Sequence, residues 1–178
     1  MPISQPLALA AILVAIALVA IVATLVQQAG PPLLGRAEVV DGDTLRMGGV
    51  RIRLLGLDAP ELAQTCTDGN GADWPCGTKA KAFVETLVRG ADLDCRPGGR
   101  DRYGRTLARC STAGGDLGHA IVAAGWAISL PAYASEEAAA RAAGQGIWAG
   151  TFVAPADWRR SHGEGVPGPW DWIRSWFH

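Results

Sequence analysis

Apolar and polar positions divide the chain into an unbroken hydrophobic run and a body of short alternating segments. Leu7 to Val26 read LALAAILVAIALVAIVATLV, with no charge, proline or glycine. Twenty residues at ~1.5 Å rise span ~30 Å, the thickness of a bilayer's hydrocarbon core. No polar face interrupts the run, which argues against a core helix. It reads as an uncleaved anchor. A cleaved signal peptide is the rival reading, although MPISQP has no Lys or Arg and Gln27-Gln28-Ala29 is a poor cleavage site.

Gln27 to Gly35 reads as a linker, since Pro31-Pro32 and two glycines exclude helix. Arg36–Val40, Thr44–Met47 and Val50–Leu55 follow as three short strands. Asp41-Gly42-Asp43 and Gly48-Gly49 turn the chain between them. Such a meander predicts a small β-barrel. Residues 62–77 read as a loop. Thr78–Arg89 is a helix capped by Thr78, with Ala82, Phe83, Val84, Leu87 and Val88 as its apolar face and Gly90 as its stop. Ala91–Cys95 and Arg105–Cys110 form a hairpin around a polar turn, 97–104. Asp116–Ala124 and Ser135–Ala143 are further helices; Gly125 closes the former, and the latter carries carboxylates at its positive end.

The organisation expected is a tip (1–6), a transmembrane anchor or uncleaved signal (7–26), a linker (27–35), one globular domain (36–160) and a Trp-rich tail (161–178). Trp170, Trp172 and Trp176 suit a membrane interface. Packing on the domain or disorder is an equal reading of the tail.

Composition changes the picture in two ways. The chain is 49% hydrophobic and 19% charged, with a net charge of −1, so no basic field advertises a nucleic-acid partner. Yet between Arg36 and His162 only Lys79 and Lys81 are lysines, and the other bases are arginine. The arginine fork suits bidentate phosphate contact; codon bias is the bland alternative. Cys66, Cys76, Cys95 and Cys110 are even in number and lie in the body. There is no CxxC pair or histidine at ligand spacing for zinc. Cys95 and Cys110 sit on opposite hairpin arms, which leaves Cys66 to pair with Cys76 across their own loop. Disulfides place the domain outside the cytoplasm, membrane-bound or, after cleavage, secreted. Arg36 and Arg46 just beyond the anchor point the other way. His119, His162 and His178 fall in no motif and take no role.

Three clusters carry candidate chemistry. Asp41-Gly42-Asp43-Thr44 alone is weak, because Asp-Gly is a common turn. In Arg51-x-Arg53 followed by Asp58-Ala59-Pro60-Glu61, the arginines share one face of a strand and two acids follow closely. Asp101-Arg102-Tyr103-Gly104-Arg105 lies at a hairpin tip, where a solvated turn is the bland reading.

Together the clusters resemble the staphylococcal nuclease (thermonuclease) family. The matching stretches are Val40–Leu45, Arg53–Glu61 and Asp101–Arg105, with weaker echoes in Ile121–Ala127 and Gly146-Ile147-Trp148. The resemblance implies an OB-fold five-stranded β-barrel with three helices, preceded here by the transmembrane helix. It also implies a Ca²⁺-dependent phosphodiesterase, an endonuclease acting on DNA and RNA. Asp43, Asp58 and the Ala59 carbonyl would be metal ligands, with Asp41 behind them; an all-oxygen set suits calcium. Glu61 would activate water. Arg53 and Arg105 would grip the phosphate, and Tyr103 and Tyr133 would contact substrate. No obligate protein partner is implied, and the chain is expected to be a monomer. A catalytically inactive module of the same fold, binding nucleic acid or protein, is the alternative; a membrane-associated structural protein is a third reading. Three departures stand out: the Cys66–Cys76 loop, Gly118-His119 where an asparagine often begins the helix, and the neutral body.

Overall fold

The computed structural model describes Ala10, residues 12–19 and residues 30–163. Residues 12–19 are helical and exposed. No helix among the described residues is long and apolar enough to cross a membrane. The rest of the expected anchor, and the tail beyond Gly163, lie outside the described residues.

The body is a mixed α+β, OB-like fold. Its strands are β1 (Leu33–Gly35), β2 (Glu38–Val39), β3 (Thr44–Met47), β4 (Val50–Leu54), β5 (Leu57–Asp58), β6 (Cys66–Thr67), β7 (Asp73–Trp74), β8 (Leu93–Arg100), β9 (Thr106–Thr112), β10 (Gly115–Asp116) and β11 (Ile128–Ser129). The helices of the body are α1 (Cys76–Val88), α2 (Leu117–Ala123), α3 (Ala134–Ala142) and α4 (Pro155–Ser161), with a 3₁₀ turn at Gly146–Ala149.

The main sheet has seven strands, not the expected five. Its order is β1-β8-β9-β4-β3-β2, with β10 added on β9. Two additions account for the difference. Pro31-Pro32 blocks helix but not an extended edge, so the supposed linker supplies β1, whose Leu33 faces Cys95. Beyond Thr112 the chain folds back as β10. The β8–β9 hairpin is also longer than expected. Strand β8 runs through Pro97 and Gly99 to Arg100 with an irregularity between those two, and the turn shrinks to its Asp101–Gly104 tip.

Strand β4 shows why the site faces as it does. Ile52 and Leu54 are buried, whereas Arg51 and Arg53 alternate to the other face. Leu45, Ile52, Val84, Leu93, Ile121 and Val122 belong to the core between sheet and helices. Each such burial contributes roughly 1.5–3 kcal/mol. Helix α1 starts at Cys76, two residues early. Thr78 therefore does not cap it; its hydroxyl donates to the Leu62 carbonyl at 3.4 Å.

The two weak sequence echoes meet in space. Gly125 and Gly146 both have positive φ (75° and 58°). A Cβ on Gly146 would lie 2.2 Å from the Gly125 carbonyl oxygen, which accepts from Ile147 N at 2.9 Å. Glycine is required there by both dihedral and space.

Both expected disulfides are present. Cys95 and Cys110 face each other across β8 and β9, with Cα atoms 4.0 Å apart. Cys66 and Cys76 close their own loop. With Ile147 they form a second small core, flanked by Trp74, Trp148 and Phe152.

Candidate active site

Sheet register brings the first two clusters together. Thr44 faces Arg53 across β3 and β4, and Leu54 N donates to the Asp43 carbonyl at 2.8 Å. Arg53 thus projects beside Asp43. Strand β5 pairs with β11, Asp58 facing Ile128, which holds Asp58 on the far side of Arg53. Gly42 is needed here for space. A Cβ on it would meet that of Ala59 at 2.6 Å, pushing apart the two segments that carry the aspartates.

Arg53 bridges the pair. Its Nη1 donates to Asp43 Oδ1 at 2.9 Å and its Nη2 to Asp58 Oδ1 at 2.5 Å. Asp43 also accepts from the Thr44 hydroxyl at 3.0 Å and from Ala59 N at 3.2 Å. Asp41 Oδ1 accepts from Asp43 N at 3.0 Å, standing behind the turn.

The electrostatics follow from burial. Asp43 is 4% exposed. Burial, opposed by Arg53 and the Ala59 N–H and reinforced by Asp41 and Asp58, raises its pKa from 3.8 to about 7. Burial works against the charge on Arg53, yet Asp43 and Asp58 hold its pKa above the ordinary arginine value. A raised carboxyl pKa means the folded state binds the proton more tightly than the unfolded one. The resulting stability is full below 3.8 and is lost as pH rises through about 7. In chelator, thermal stability should therefore fall across that window, by up to about 1.4 kcal/mol per pH unit. Melting curves of wild type and Asp43→Asn test this: the fall should be absent from the variant.

Glu61 enters from the same side. Its N–H donates to Gln64 Oε1 at 3.2 Å, and Gln64 Nε2 donates to the Val153 carbonyl at 2.7 Å. Gln64 is fully buried. Arg105 comes from the hairpin, where its Nε donates to Asp101 Oδ2 at 2.7 Å. Burial opposes the Asp101 charge, but Arg105 and the backbone N–H of Tyr103 hold its pKa below the usual range. Tyr103 is half exposed and lies under the Arg102 and Arg105 guanidinium groups, 4.8 and 5.6 Å from its ring centre. Asp41, Arg51, Arg53, Glu61, Tyr103 and Arg105 all line one groove of ≈ 1030 Å³.

Tyr133 does not reach this groove. It is 9% exposed in the core, and its hydroxyl donates to Asp116 Oδ1 at 2.9 Å. Burial, then that bond, raises its pKa to about 12. Gly118 makes this possible, because a Cβ there would strike the Tyr133 hydroxyl oxygen at 2.5 Å. Asp116 also accepts from His119 N at 2.8 Å and so caps α2. The helix that carries the Gly118-His119 departure is thus capped by Asp116, and Tyr133 braces the cap.

One further residue converges on the groove without any sequence signal. Arg159 of α4 donates through Nη1 and Nη2 to Asp58 Oδ1 and Oδ2, both at 3.0 Å, and through Nη1 to Glu61 Oε1 at 2.6 Å. Burial opposes its charge, while Asp58 and Glu61 drive its pKa well above the ordinary value. Trp158-Arg159-Arg160 falls in no motif, and nothing local sets it beside Asp58.

Among the described residues, no group of three or more Asp, Glu, His or Cys side chains could hold a metal. Asp43 and Asp58 do present two buried carboxylates to one guanidinium. Their all-oxygen chemistry, with the adjacent Ala59 carbonyl as a further oxygen, fits a hard divalent cation.

Residues 51–150 match the family described as staphylococcal nuclease homologue. The span includes Arg53, Asp58, Glu61 and Arg105 but not Asp43 or Arg159. The chain is 36% identical over 127 residues to the succinoglycan biosynthesis protein ExoI of Rhizobium meliloti, a match covering 67% of this chain and 66% of that protein. It is 30% identical over 135 residues to an uncharacterized endonuclease of Haemophilus influenzae, covering 69% and 70%. A probable staphylococcal-like nuclease of Oryza sativa subsp. japonica is 31% identical over 123 residues, 65% of this chain and 34% of that protein.

Proposed function

Because the chain belongs to the staphylococcal nuclease homologue family, we propose that it is a Ca²⁺-dependent endonuclease hydrolysing phosphodiester bonds of DNA and RNA. The observation that carries this reading is the Asp43–Arg53–Asp58 bridge, at a groove that also receives Glu61 and Arg105.

Asp43, Asp58 and the Ala59 carbonyl would hold the cation, which when bound supplies Lewis-acid polarisation of a phosphoryl oxygen. The chain's own groups do the rest. Glu61 takes a proton from a water molecule aimed at phosphorus. The water oxygen forms the new P–O bond as the bond to the leaving sugar oxygen breaks, and that oxygen takes up a proton from solvent water. Arg53 and Arg105 hold the non-bridging oxygens and stabilise the added charge of the pentacoordinate transition state. Tyr103 and its flanking arginines give the substrate a stacking surface at the rim. The cation would also compensate the Asp43 carboxylate, which burial otherwise drives towards its neutral form.

The apolar run at 7–26 supports tethering to a membrane, and the two disulfides support an extracytoplasmic domain. The full chain, incubated with single-stranded DNA, should cleave it with Ca²⁺ and not with chelator. Binding without cleavage in Ca²⁺ would assign an inactive binding module instead.

A further inference from the structure

Helix α4 lies outside the family span, yet it is firmly placed. Thr67 and Thr151 exchange backbone hydrogen bonds of 2.9 and 2.8 Å. Gly150 fits only because it lacks a Cβ, which would lie 2.0 Å from the Thr67 carbonyl oxygen. Gln64 ties Val153 to the loop that holds Glu61. The Cys66–Cys76 loop, a departure from the simplest family pattern, is therefore the platform for the segment that leads into α4.

The product of that placement is Arg159 laid across Asp58 and Glu61. Its side chain is 24% exposed, and Asp58 only 3%. Arg159 spans both oxygens of Asp58, and Arg53 shares Oδ1. A cation ligated by Asp58 needs lone pairs that the two guanidinium groups already engage. It would also stand close to a like charge in a poorly solvated place.

We propose that Arg159 is a further residue of the active site, which competes with the divalent cation for Asp58 and sets the site's affinity for it. In the cation-free protein its guanidinium neutralises Asp58 and steadies Glu61. When the cation takes Asp58, Arg159 releases that carboxylate and keeps its bond to Glu61. Linkage makes the antagonism reciprocal: Arg159 weakens the cation by the factor that the cation weakens Arg159. The inference rests on the cation site proposed above.

Calorimetric titration of the full chain with Ca²⁺ tests it. Arg159→Gln should bind Ca²⁺ about 5–150-fold more tightly than wild type, the range of ordinary coupling energies. Arg159→Lys, which keeps the charge but not the fork, should fall between them. A merely structural Arg159 would give unchanged or weaker binding, and either result overturns the competition. No Ca²⁺ binding in wild type or variant would remove the cation site and the competition together, an outcome distinct from equal binding. A second measurement does not depend on the variants folding. Saturating Ca²⁺ should speed solvent exchange of the Arg159 guanidinium protons of the wild-type chain, read by NMR, because they leave Asp58, and unchanged or slower exchange overturns the proposal.

Discussion

Arg53→Ala should lower turnover by about 10²–10³-fold, the cost of removing one donor aimed at transition-state charge. Arg105 supplies the second guanidinium at the same groove, so activity should fall steeply without vanishing. The loss should fall on kcat more than on KM, because the added phosphoryl charge exists only in the transition state. The same change should weaken the fold. Arg53 is the shared partner of two carboxylates that are 5% and 3% exposed. Removing one member of a buried ion pair costs about 3–5 kcal/mol. The low end is expected, since Asp43, with a pKa near 7, can take up a proton, and Arg159 still covers Asp58. Arg53→Lys should recover little, because one ammonium cannot bridge both carboxylates as the fork does. Steady-state kinetics and urea denaturation with and without Ca²⁺ check both halves. An intact kcat in a folded Arg53→Ala protein would remove the clamp assignment.

Glu61→Gln should cost about 10²–10⁴ in turnover, the usual contribution of a positioned general base. The amide keeps the shape of the side chain but cannot take the proton. Its backbone bond to Gln64 is untouched, so the loop should stay in place. Ca²⁺ affinity should be no lower than in wild type, because Glu61 is not among the proposed ligands and its loss loosens Arg159. Kinetics and calorimetry on the same preparation separate the roles. A loss of Ca²⁺ affinity matching the loss of turnover would make Glu61 a cation ligand instead.

Other groups at the groove act through these. Asp101 aims Arg105 with a charge-assisted bond and two accepted backbone bonds. Gln64 sets the backbone of Glu61 and ties it to the segment that delivers Arg159. Asp101 belongs to the third cluster and Gln64 to none, and the importance of both comes from what they hold.

Some of this was written locally in the chain. Alternation along β4 sets Arg51 and Arg53 on one face because a strand reverses its side chains at every residue. Facing positions on a hairpin sufficed to pair Cys95 with Cys110. The order of the acidic and basic clusters pointed to the nuclease-like fold, and Gly90 closes α1 with a φ of 73°, as a glycine stop should.

Tertiary packing decided the rest. The family resemblance sets Tyr133 against the substrate, yet the space left by Gly118 draws it inward to Asp116. Gly42 looks like a turn residue, but the nearness of Ala59 is what requires it. Arg159 reaches Asp58 across 101 residues, through a helix whose position depends on a bridge to the Cys66–Cys76 loop. Periodicity and turn chemistry act over a few residues, so the sequence determined the β2–β4 meander, the disulfide arms and the kinds of groups at the site, but not the added strands β1 and β10. Which of those groups meet depends on how distant surfaces dock, and that depends on the shape of the whole fold.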